Sequence, residues 1–292
     1  MENTWLDSRD RVNVTPNSAI TVDEFFREYT SRDAILKYTR ATAGFGISYL
    51  LDHDYRSVYL KAVGLLPEEV KRRGIRILEF GCGGGMNLLH LVQMLQAIGV
   101  HVKTAIGVDF SPVLIEAANR EANAYSFEGL ATRPKFHLAN NDRLTEDLAI
   151  ALEAKPKELE NSFHFIFGVN TVRYCHDAGN ELENAQNIFR LLVPGGVCVV
   201  IDMNNRFPLF RSDLKNRFRR HKEEECYVPS LEEYAAPFAT TGFEILRKQH
   251  FCWVPHSSGR VMCRLTRAIA PLLDLTVRSR AMRALVVSRK PR

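Results

Sequence analysis

The sequence predicts a three-layer α/β fold built on a seven-stranded, mostly parallel sheet, and three observations predict it. From Arg76 onward, short apolar runs alternate with stretches of helical periodicity, the pattern of a parallel sheet covered on both faces. The run Ile77-Leu-Glu-Phe-Gly-Cys-Gly-Gly-Gly-Met86 joins a buried strand to a helix through a glycine-rich turn. A second apolar run ends on an acidic residue, Asp109, about 24 residues beyond Gly85.

Before the first strand, Thr21 to Glu69 has apolar residues at spacings of three and four, in segments beginning at Val22, Ile35 and Tyr55. These read as helices and give an N-terminal helical region over 1–70. The remaining 71–292 form the α/β domain. Its strands fall near 75–80, 104–109, 135–139, 163–169, 196–202, 243–253 and 283–289, and its helices near 87–98, 112–122, 144–152, 180–192 and 231–240. Glu79 ends the first strand's apolar run, and Gly81, Gly83 and Gly85 permit a tight turn that approaches a ligand. In Gly107-Val-Asp-Phe-Ser-Pro112, Ser111 is placed to cap the next helix and Pro112 to occupy its first turn. Pro194-Gly-Gly196 is a turn into the fifth strand, which ends at Asp202, Asn204 and Asn205. Between the last two strands, Arg260 to Ser279 is basic and amphipathic, a helical insertion near 255–280 that reads as a packed helix, a lid or a partner helix.

The composition narrows the function. With 292 residues, 46% hydrophobic and 25% charged, the chain has room for a full core. The net charge of +5 is mild. The basic run Lys215 to Lys222 is followed at once by Glu223-Glu-Glu225, which argues against nucleic acid as a partner; an anionic carrier or acidic substrate stays open. No stretch approaches the roughly 20 apolar residues of a spanning helix, and the charged N-terminus lacks a signal-peptide core, so a cytoplasmic protein without a membrane partner is expected. The six cysteines are scattered without a Cys-x-x-Cys pair, giving no metal site and no disulfide frame. A homodimer is left open.

A glycine loop after a buried strand, with an acid ending the next strand, is the arrangement of a nucleoside-cofactor site in which Asp109 accepts from ribose hydroxyls. A dinucleotide oxidoreductase meets a loose glycine pattern too. The flanks discriminate: Glu-Phe-Gly-Cys-Gly-Gly-Gly, with its acid two residues before the first glycine, resembles the first motif of class I S-adenosylmethionine (SAM) methyltransferases. The resemblance spans about Arg76 to Lys290. It implies a Rossmann-like fold, a final antiparallel strand insertion, an N-terminal helical cap over the cofactor and SAM itself, with no metal.

The resemblance also implies roles. Glu79 orients the glycine loop and the methionine ammonium, and Gly81, Gly83 and Gly85 face the methionyl part. Asn140, Asn141 and Asp142, in Phe136-His-Leu-Ala-Asn-Asn-Asp142, fall where the family reads adenine, with the Asn140 carbonyl accepting from the exocyclic amine and Phe110 covering the ring face. In Tyr38-Thr-Arg-Ala-Thr-Ala-Gly-Phe-Gly-Ile-Ser-Tyr49, Tyr38 and Arg40 are candidates for the SAM carboxylate, against a plain helix-turn-helix. Gly168 belongs to the cofactor set. After the fourth strand the family often has His-His where this chain has Arg173-Tyr174, and an aspartate in place of His164. Asn170, Arg173 and Tyr174 are the candidate groups at the reacting end of SAM, since ligands bind outside the carboxyl ends of such strands.

No Asn-Pro-Pro-Tyr or Asp-Pro-Pro-Tyr follows the fourth strand, which disfavours exocyclic amines of nucleic acid and glutamine amides as acceptors. His137, His164, His176 and His250 are candidate bases, against structural hydrogen bonding. The first reading is a methyltransferase acting on a small molecule in secondary metabolism. The alternatives are a SAM cyclase, in which the α-amine of SAM attacks SAM's own Cγ to give azetidine-2-carboxylate and methylthioadenosine, and a SAM-binding partner subunit without catalysis.

Overall fold

The computed structural model describes residues 53–124, 132–208, 228–253 and 260–292. Two helices, α1 (His53–Val63) and α2 (Glu68–Arg73), precede β1 (Ile75–Phe80). Then follow α3 (Met86–Ala97), β2 (Val102–Asp109), α4 (Pro112–Ala124), β3 (Lys135–Leu138), α5 (Leu144–Ala151), the short α6 (Pro156–Leu159) and β4 (Phe163–Val169). Beyond β4 come α7 (Val172–Asp177), α8 (Glu181–Leu191), β5 (Leu192–Met203), α9 (Leu231–Thr241), β6 (Glu244–Phe251), α10 (Arg260–Thr276), a 3₁₀ turn (Arg278–Arg280) and β7 (Arg283–Arg289).

The seven strands form one sheet in the order β3-β2-β1-β4-β5-β7-β6. β7 runs antiparallel to both of its neighbours and the other pairings are parallel, the expected final insertion. The chain reverses its direction of travel across the sheet between β1 and β4, so their carboxyl ends flank the crevice where such sheets take ligands.

One face of the sheet is covered by α1, α3 and α4, the other by α5, α8 and α9. Tyr55 and Tyr59 of α1 are fully buried and meet Phe251 and Phe167 edge-on, with ring centroids 5.2 and 5.1 Å apart. Each such ring contributes about 1.5–3 kcal/mol by leaving water, so α1 belongs to the sheet's own core. Caps fix the helix starts. Ser111 Oγ accepts from Leu114 N at 3.3 Å, as the sequence predicts, and Ser230 and Glu233 form a capping box on α9.

Three differences from the sequence reading have physical causes. β5 starts at Leu192, ahead of the Pro-Gly-Gly turn, because Leu192 pairs with Phe163 before the register shifts around Gly195, whose φ is +79°. α6 and α7 are too short to leave a periodic signal. The insertion forms α10, whose Val261, Leu265, Ile269, Leu272 and Leu275 are exposed; Trp253 Nε1 donates to its Asp274 Oδ1 at 2.7 Å.

Candidate cofactor and acceptor site

The cofactor half lies over β1, β2 and β3. Glu79 is buried, and its Oε2 accepts from Leu88 N at 3.1 Å, so the acid closing β1 satisfies an amide in the first turn of α3. Burial pushes its carboxyl well above the usual carboxylate range, against hydrogen bonds from Asn87 and Leu88. Gly81, Gly83 and Gly85 all have positive φ. A Cβ on Gly81 would lie 2.3 Å from Thr171 Oγ1, and one on Gly85 2.5 Å from the Phe136 ring. A Cβ on Gly83 would meet nothing within 4 Å. Two of the three glycines therefore serve packing, and the third borders open space where a ligand can reach the backbone.

Asp109, at the end of β2, binds that same glycine. Its Oδ2 accepts from Gly83 N at 2.9 Å and its Oδ1 from Ser111 N at 3.0 Å. Burial raises its pKa to about 6, against the lowering by these amides and that of Phe110. Each oxygen retains a lone pair, so the carboxylate suits the paired hydroxyls of a ribose. Asn140 N and Nδ2 both donate to Asp147 Oδ2, at 2.9 and 3.3 Å, leaving the Asn140 side-chain carbonyl to accept. Asn184 Nδ2 donates to Asn141 O at 3.1 Å and Asn187 Nδ2 to Asp142 O at 2.8 Å, so α8 holds the loop after β3. These bonds hold Asp109, Asn140 and the loop after β3 beside the glycine turn.

The other half lies over β4, β5 and β7. Asn170, at φ +56°, accepts from Arg283 Nη1 at its Oδ1, 2.6 Å away. Arg173 N donates to Asp202 Oδ2 at 3.1 Å. The Arg173 guanidinium lies 4.4 Å from the Tyr174 ring centroid and also donates to the Tyr174 hydroxyl. Asp202 is fully buried; burial raises its pKa, while Arg173, two backbone amides and Arg283 lower it. Asn204 Nδ2 donates to Ser279 O at 2.9 Å and Ala281 O at 2.6 Å.

A family model described as a methyltransferase domain matches residues 51–248, about two thirds of the chain. The chain belongs to the methyltransferase-domain family. Over 136 residues, 46% of its length, it is 30% identical to the citrinin polyketide synthase of Monascus ruber, and the match covers 4% of that far longer protein. Among solved structures, the [4+2]-cyclase SpnF is similar at 16% identity and TM-score 0.56, over 94% of this chain and 97% of that one. The magnesium protoporphyrin IX methyltransferase of Synechocystis PCC 6803, solved with bound SAH, is similar at 12% identity and TM-score 0.56, over 92% and 99%. These likenesses are of fold, the class I SAM-dependent one, and one neighbour is a cyclase, so the fold does not choose the reaction.

The predicted Glu79, Gly81, Gly83, Gly85, Asp109, Asn140, Asn141 and Asp142 all lie at the carboxyl edge of β1 to β3, with Phe110 partly exposed beside them. Asn170, Arg173 and Tyr174 gather at the end of β4. Gly168 packs against Phe80, since a Cβ there would lie 2.5 Å from that ring. His164 sits at the start of β4, the opposite edge of the sheet, where its Nδ1 accepts from Arg76 N at 3.1 Å. Tyr38 and Arg40 lie outside the described residues.

The sequence reading missed Arg283, Asp147, Asn184 and Asn187. Their signals were faint but present. Arg283 is a lone charge in the run Ala281-Met-Arg-Ala-Leu-Val-Val287, and the two asparagines fall three apart on the inner face of α8.

Proposed function

We propose that this methyltransferase moves the methyl group of SAM to a nucleophilic atom of a small molecule in secondary metabolism. The observation that carries the reading is the bond to Asp109 Oδ2 from the backbone N of Gly83, a loop glycine where a Cβ would meet nothing within 4 Å. That pairing sets a ribose-binding carboxylate against a backbone that a ligand can approach. Similarity to part of a polyketide synthase supports small-molecule chemistry. The buried, unbridged Cys82, Cys175, Cys198 and Cys252 support a cytoplasmic setting.

In this reading Asp109 accepts from the ribose, the Asn140 carbonyl from the adenine amine, and Phe110 covers the ring, with Asn141 and Asp142 shaping the loop. Tyr38 and Arg40 are assigned to the SAM carboxylate on the sequence alone. SAM supplies an activated methyl on its sulfonium. The chain's task is to align the acceptor, exclude water and take up one proton from an acidic nucleophile. Asn170, Arg173 and Tyr174 stand at the reacting end.

Cyclisation of SAM is the second reading, and the arginines favour it in one respect. Positive charge from Arg173 and Arg283 beside Tyr174 and Asn170 disfavours an ammonium and so favours the neutral amine that reaction needs. Incubation with SAM alone, followed by mass analysis, separates the readings. Intact SAM that becomes S-adenosylhomocysteine only when small nucleophiles are added supports methyl transfer. Methylthioadenosine with azetidine-2-carboxylate would replace it by cyclisation.

A further inference from the structure

We propose that the acceptor carries an anionic group, carboxylate or phosphate, which Arg206 and Arg280 bind in the cleft between the ends of β5 and β7. The inference deepens the methyl-transfer reading and rests on it for the word acceptor; the anion site itself stands or falls separately.

Four observations carry it. First, Arg206 and Arg280 line a single concavity of about 410 Å³, whose other described lining residues are Asn205 and Ser279. The four side chains offer two guanidiniums, an amide and a hydroxyl, and no carboxylate. Second, both arginines are exposed, and among the described residues neither has an acidic partner. Two uncompensated guanidiniums facing one space repel each other unless an anion joins them, and their planar forks suit carboxylate and phosphate oxygens.

Third, the cleft is built. Asn204 is buried, and its one side chain ties the two arginine-bearing turns together: Nδ2 donates to Ser279 O and Ala281 O, while Oδ1 accepts from Arg206 N at 3.0 Å. The backbone under both arginines is thereby set before any ligand arrives, which lowers the ordering cost of binding. Fourth, the place is right for an acceptor. Arg206 lies just beyond the end of β5 and Arg280 just before β7, on the sheet edge that carries Asn170 and the glycine loop. Neighbouring strands stand about 4.8 Å apart, so this cleft is about 10–14 Å from the loop over β1. Counted instead from the end of β4, where Asn170, Arg173 and Tyr174 stand, the same spacing puts the anionic group about 5–10 Å from the methylated atom, the span of one or two rings.

The test uses the full-length protein saturated with S-adenosylhomocysteine. Benzoate, phenyl phosphate and the neutral benzamide are titrated separately by calorimetry into the natural protein and into the double variant Arg206→Gln/Arg280→Gln. At least one anion is expected to bind tenfold or more tightly than benzamide, and the tighter of the two names the group. The double variant is expected to lose that preference while binding S-adenosylhomocysteine as before, which also reports its integrity. Equal binding of benzamide and the anions, or a preference that survives the double substitution, would overturn the proposal. Anion binding intact without methyl transfer to any acidic acceptor would sink the methyl-transfer reading and leave the anion site standing.

Discussion

The two halves of the sheet edge are held in different ways. Over β1 to β3 the decisive bonds run from backbone amides to side chains: Gly83 to Asp109, 26 residues apart, and Leu88 to Glu79, nine apart. Over β4, β5 and β7 they run between side chains or turns far apart in sequence, Arg283 to Asn170 across 113 residues and Asn204 to Ala281 across 77. A half built from backbone suits a cofactor whose shape never changes. A half built from side chains can be rewritten for another acceptor without disturbing the first.

The sharpest way to break this comparison is inside the glycine loop. Gly85→Ala forces a Cβ into the Phe136 ring at positive φ, so urea unfolding should show a loss of about 3 kcal/mol or more. Gly83→Ala meets open space and should lose only about 1–2 kcal/mol from backbone strain. Equal losses would mean that the loop has no ligand-facing side.

Arg283→Met tests the other half. It removes the donor to Asn170 and one of two cations near buried Asp202, so stability should fall by about 3 kcal/mol. The Kd for SAM should change less than twofold while turnover of an acceptor falls by a larger factor. A matching loss in SAM affinity would merge the two halves into one.

The pH dependence follows from Asp109. Its folded pKa is raised from 3.8 to about 6, so above pH 6 the carboxylate is ionised at a cost to folding stability, and that cost is relieved as pH falls toward 4. Ribose hydroxyls donate to the ionised form and pull the pKa down. Affinity for S-adenosylhomocysteine should therefore be flat above pH 7 and weaken below pH 6 by up to tenfold per unit, with Asp109→Asn showing no such slope. A smaller effect is expected of Asn187→Ala, which frees the Asp142 carbonyl and the Thr145 amide: about 1 kcal/mol of stability and a several-fold rise in the SAM Kd by titration.

The sequence made the cofactor half readable because its residues are contiguous: strand, acid, glycines and Asp109 lie within one β-α-β unit. Even there it could not divide the labour among the glycines, since the Phe136 ring that excludes a Cβ from Gly85 comes from β3. The strands were legible as apolar runs, and the antiparallel β7 through family resemblance. Asn204 was legible at the end of β5, but Arg283 was not legible as a site-builder, because its role arises only when β7 inserts between β5 and β6 and brings it beside Asn170.

The central claim is that Asp109 and the open side of Gly83 hold SAM. Calorimetric titration of SAM into the natural protein, Asp109→Ala and Gly83→Val tests it most directly. The account predicts that both variants, folded by circular dichroism, bind SAM at least tenfold more weakly: Asp109→Ala by loss of a hydrogen bond to a charged group, about 1.5–3 kcal/mol, and Gly83→Val by filling the open space at the loop. Affinity unchanged in Asp109→Ala would contradict the ribose assignment and, with it, the placement of the cofactor.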